Sequence, residues 1–68
     1  MNKKDALTFA LSWAADVLAV ERDAGNMANA YKPDEEITLR EERQLEIALT
    51  EVVVMLRRRA ERRGAQGG

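Results

Sequence analysis

Arg57, Arg58, Arg59, Arg62 and Arg63 are the side chains of this sequence best suited to holding a ligand. A guanidinium group stays charged at any pH a protein meets, and it pairs bidentately with phosphate or carboxylate. The cluster therefore fits the backbone of RNA or DNA, or an acidic protein surface. It also fits a plainer duty. Cations at the carboxyl end of a helix neutralise its free carbonyls, and they can pair with acids on a neighbouring helix. Spread over positions 57–63, the five groups wrap round a helix and cannot all face one partner. No aromatic residue is interleaved with them, so a platform for stacking bases is missing. Nucleic-acid binding is thus the alternative reading of the cluster, not the leading one.

Asp34, Glu35, Glu36, Glu41, Glu42 and Glu46 form the opposite pole. Carboxylates in such a run can hold a divalent metal, and Glu42 and Glu46 share a helix face. Helical dimetal sites, however, join glutamates to a histidine three residues on, and this chain has no histidine. An all-carboxylate magnesium site would need a substrate phosphate to complete it. A solvated helix start explains the acids better, and no metal or other cofactor is expected. Catalysis also lacks material. With neither histidine nor cysteine, a general base would have to be a buried carboxylate or lysine. Ser12 has no base at a suitable spacing, and the glycines match no phosphate-binding loop. The chain reads as a non-enzyme.

The formal charge of −1 hides this polarity. Positions 1–33 balance, positions 34–51 carry seven acids against Arg40 and Arg43, and positions 57–63 carry five arginines against Glu61. Only the local segments inform on partners. No stretch is long and apolar enough to span a bilayer, because Asp16 interrupts Ala6–Val20 and the run 52–56 is short. Asp5 and Asp16 also argue against a signal peptide. The expected compartment is the cytoplasm, with which the absence of cysteine is compatible.

Two helices must position these groups. The first is expected over 3–24, capped by Asn2 with Asp5 in its first turn. Leu7, Ala10, Leu11, Ala14, Val17 and Leu18 form one apolar stripe on it, and Phe9, Trp13, Val20 and Ala24 a second beside it. Together they exceed the ~100° face of an ordinary surface helix. Gly25 either ends this helix in a left-handed cap or interrupts it locally, with helix resuming to Tyr31. Lys32-Pro33 stops it there. The second helix starts either at Asp34 or at the capping box Thr38-Leu39-Arg40-Glu41, and runs to Arg63. Leu45, Ala48, Leu49, Val52, Met55, Leu56 and Ala60 share one face, while Ile47 and Val54 lie nearly opposite. Gly64 should end the helix, leaving 64–68 as a flexible tail.

The expected fold is all-α: one domain over 1–63, an antiparallel two-helix hairpin. A chain of 68 residues buries only about 60% of its unfolded surface, and no disulfide or zinc compensates. Self-association is therefore expected, two hairpins closing a four-helix bundle. If the second helix meets its own copy, antiparallel packing sets Glu41, Glu42 and Glu46 near the partner copy's arginines, whereas parallel packing sets like against like.

Trp13, Leu45, Ile47, Leu49, Val52, Val54 and Leu56 are the candidate interface positions. Trp13 with Phe9, Met27 and Tyr31 fits the core of such a bundle better than a recognition surface. Ile47 and Val54 form either the homodimer seam or a dock for another protein. The resulting expectation is a small, non-catalytic interaction protein that binds, inhibits or scaffolds another macromolecule, foremost a protein. Phage- and plasmid-encoded regulators often have this character, which is an analogy only.

Overall fold

A computed structural model describes residues 2–33 and 35–66, with side chains as far as Arg63. Among the described residues the chain is all helical: α1 (Lys3–Ala24), α2 (Asn26–Tyr31) and α3 (Leu39–Gln66). Three helices replace the two expected, because the segment between the long ones carries a short helix of its own.

Local chemistry sets most of the boundaries. The backbone N–H of Asp5 donates to Asn2 Oδ1 at 2.8 Å, which caps α1 with one of the side chains preferred there. Gly25 ends α1 at φ 73°, ψ 14°, the left-handed conformation that costs glycine nothing, and its N–H reaches back to the Arg22 and Glu21 carbonyls. The chain then re-enters helix for α2, which stops before Pro33. α3 begins at the capping box. The Thr38 N–H donates to Glu41 Oε1 at 3.3 Å, and the Glu41 N–H donates to Thr38 Oγ1 at 3.2 Å. The other start considered, Asp34, lies outside the described residues.

At its far end α3 corrects the sequence reading. Gly64 does not stop the helix, which passes through it to Gln66. Only Gly25 has positive φ among the described residues, so Gly64 is an interior helical glycine carrying a cost of about 1 kcal/mol. The remaining tail positions, Gly67 and Gly68, lie outside the described residues.

α1 and α3 pack side by side in opposite directions. Arg22 Nη1 donates to Thr50 Oγ1 at 3.2 Å, and Arg57 Nη2 donates to Asp16 Oδ1 at 3.4 Å. These bonds set Arg22 level with Thr50 and Asp16 level with Arg57. Among the described residues the buried side chains are Ala15, Leu49, Val53 and Ala60. Two of the four are alanines, which lets the backbones approach but buries little apolar area. Leu11, Leu18, Leu45 and Leu56 are half-buried around them.

The seam of α3 therefore runs through Val53, not through Val52 and Met55, which stand 41% and 57% exposed. The run Val52-Val53-Val54-Met55-Leu56 places an apolar group at nearly every angle of the helix, so periodicity alone could not select the inward one. The molecule is long and thin, 48 × 18 × 13 Å.

Candidate functional site

The arginine end forms a shallow groove between the start of α1 and the last turns of α3. Its lining is Leu7, Leu11, Arg59, Arg62 and Arg63. Arg57 lies apart from it and pairs with Asp16, both groups exposed, a contact worth at most about 1 kcal/mol. Among the described residues Arg58, Arg59, Arg62 and Arg63 have no acidic partner, and all four are exposed. The structure thus brings three of the five cluster arginines onto one apolar floor and separates Arg57 and Arg58 from them.

The candidate interface positions fall into three groups. Leu45, Leu49 and Leu56 are taken up wholly or partly between the helices of a single chain. Val52 lies on the flank of α3 that the groove arginines share. Ile47 and Val54, 61% and 41% exposed, lie on the other flank. Trp13 is exposed, as are Phe9 and Val20 beside it, and all three point away from α3. Within one chain this second stripe of α1 has nothing packed on it, so α1 carries α3 on one side and bare apolar groups on the other.

The acidic pole is organised by Lys32. Its ammonium lies 2.9 Å from Glu41 Oε2 and 3.9 Å from Glu35 Oε2. The Lys32 ammonium, followed by the Thr38 hydroxyl and backbone N–H, holds the Glu41 carboxyl below the ordinary glutamate range. Beside it a small hollow is lined by Tyr31, Glu41, Gln44 and Leu45. No group of three or more acidic side chains gathers in metal-binding geometry among the described residues. Nor, among them, is any helix long and apolar enough to cross a membrane.

Sequence reasoning did not single out the Lys32–Glu41 and Arg22–Thr50 contacts. Lys32 could have been noticed as the cation just ahead of the acidic run, but Thr50 carried no signal. No protein-family model matches the chain, and comparison with curated proteins and with solved structures likewise gives no match.

Proposed function

We propose that the chain is a small, non-catalytic interaction protein of the cytoplasm. It self-associates into a four-helix bundle of two helical hairpins and docks a protein partner. The observation that carries this reading is the amount of apolar surface one chain leaves bare. Phe9, Trp13 and Val20 are each about 60% exposed along a single line of α1, and Val52 and Met55 stand exposed together on one flank of α3. Contiguous patches of this kind mark association surfaces, whereas singly scattered apolar groups need no explanation.

The unpaired groove arginines favour one further reading, an anionic ligand such as nucleic acid. Light scattering on the unaltered chain, with a mobility-shift assay alongside, tests both. The proposal expects the mass of a dimer and no retained RNA or DNA at about 150 mM salt, where only contacts to several phosphates survive. A monomer that binds nucleic acid tightly at that salt would replace it with the alternative.

A further inference from the structure

We infer that a second copy of this chain docks end for end on the α3 flank carrying Val52 and Met55, so that each copy's groove arginines meet the other's Glu41 hollow. The inference rests on the self-association just proposed and adds the face and the orientation. Glu41, Gln44, Ala48, Val52, Met55, Arg59 and Arg62 recur at spacings of three and four, and at about 100° per residue they fall on one side of the helix. Acid stands at one end of this strip, apolar groups in the middle and base at the other end. Reversed about the midpoint between Glu51 and Val52, the strip is complementary to itself. Glu41 comes opposite Arg62, Gln44 opposite Arg59, and the small Ala48 opposite the long Met55. A two-fold dimer requires this kind of self-complementary patch.

The two hollows on this flank agree with that arrangement. The groove of Leu7, Leu11, Arg59, Arg62 and Arg63 lies at one end, and the hollow of Tyr31, Glu41, Gln44 and Leu45 at the other. End-for-end docking brings each over its counterpart and closes both. It also covers Val52 and Met55 at the centre, and the Leu7 edge of α1 at the ends.

The opposite flank of α3 is a poorer seam. Reversing it about Ile47 and Val54 sets Arg43 against Arg58, a repulsive pair, while Arg40 meets Glu61. A dimer in which the two α3 helices point the same way fares worse again, because the unpaired arginines of both copies gather at one end. The chosen face brings the two Glu51 carboxylates near each other at its edge, but its Glu41–Arg62 pair occurs twice, so charge still favours this face and direction. The face of α3 carrying Ile47 and Val54 and the stripe of Phe9, Trp13 and Val20 on α1 are both left free in the dimer, for the protein partner.

Because the chain contains no cysteine, single cysteines report the geometry cleanly. Gln44, Val52, Val54 and Arg59 are all exposed, so replacing them leaves the contact between α1 and α3 intact. Under mild oxidation Val52→Cys should link to itself, since it lies beside the two-fold axis. Gln44→Cys and Arg59→Cys should each stay unlinked alone and link when mixed, because a disulfide demands Cα atoms within about 7 Å.

Gln44→Glu, which adds an acid opposite Arg59 in both halves, should tighten the dimer between about twofold and thirtyfold. A dimer that links through Val54→Cys in place of Val52→Cys, through Gln44→Cys with itself, or through none of these overturns the inference alone. An unchanged or weakened Gln44→Glu dimer does the same. A chain that remains monomeric overturns the self-association reading with it.

Discussion

The Lys32 ammonium, just past the end of α2, lies 2.9 Å from the Glu41 carboxylate in the first turn of α3. This contact closes the connection between the helices. The same carboxylate completes the capping box with Thr38, whose hydroxyl donates to Glu41 Oε1 at 2.9 Å. One side chain therefore fixes both the start of α3 and the path of the chain that leads into it.

A pH dependence follows. Lys32 and Thr38 stabilise the ionised carboxylate, so the Glu41 pKa is lower in the folded chain than in the unfolded one. On acidification the unfolded chain takes up this proton first. The contribution of Glu41 should be complete above the ordinary glutamate pKa and lost as pH falls through the lower folded value. Chemical denaturation across the acidic range should show stability falling in this window. Glu41→Gln should be less stable near neutrality and should lose that part of the slope; an unchanged slope would mean that the contact is not formed in solution.

The two described glycines should respond in opposite directions to the same substitution. Nothing lies within 4 Å of a Cβ added at either Gly25 or Gly64, so backbone conformation alone decides. At φ 73° Gly25→Ala is strained and should destabilise by about 1 kcal/mol. Gly64→Ala, inside α3, should stabilise by roughly 0.5–1 kcal/mol. Thermal unfolding of the two variants reads both signs. If Gly64→Ala were the destabilising change, α3 would end where the sequence suggested.

Burial ranks the side chains that hold α1 to α3. Leu49 is 6% exposed, and Leu49→Ala should cost about 2–5 kcal/mol. Thr38→Ala, which removes a capping hydroxyl and leaves the core alone, should cost ~1 kcal/mol. Urea titrations that found equal losses for the two would place Leu49 outside the core.

What the sequence revealed was what neighbouring residues decide. The Asn2 cap, the Thr38–Glu41 box and the stop before Pro33 each involve groups a few positions apart, so their types and spacing suffice. The inward face of α3 was harder to read. Val52, Val53 and Met55 are equally apolar, and only contact with α1 selects Val53. Ala15 is fully buried because it lies where the helices come closest, and an alanine gives no hint of this in a sequence. The Arg22–Thr50 and Asp16–Arg57 bonds join residues far apart along the chain, beyond the reach of any local pattern. The same separation divides the cluster: Arg57 turns to Asp16, while Arg59, Arg62 and Arg63 line the groove.

Those groove arginines give a prediction about nucleic acid. Each phosphate neutralised on duplex DNA contributes about 0.9 to the slope of log affinity against log salt. With three arginines on the groove and no aromatic side chain lining it, binding to any RNA or DNA should be weak at about 150 mM salt. Replacing Arg59 and Arg62 by alanine should alter self-association more than nucleic-acid affinity. A submicromolar mobility shift at that salt, with a slope that flattens in the double variant, would mark the groove as a phosphate site.

The central claim is that one chain leaves its core incomplete and a second copy finishes it. Thermal unfolding of the unaltered chain, followed by circular dichroism over a range of protein concentrations, tests this most directly. Association of folded chains favours the native state by mass action, so the midpoint should rise steadily with concentration. A midpoint that stays fixed across the whole range would contradict the claim, because the buried set of Ala15, Leu49, Val53 and Ala60 would then hold the fold without a partner.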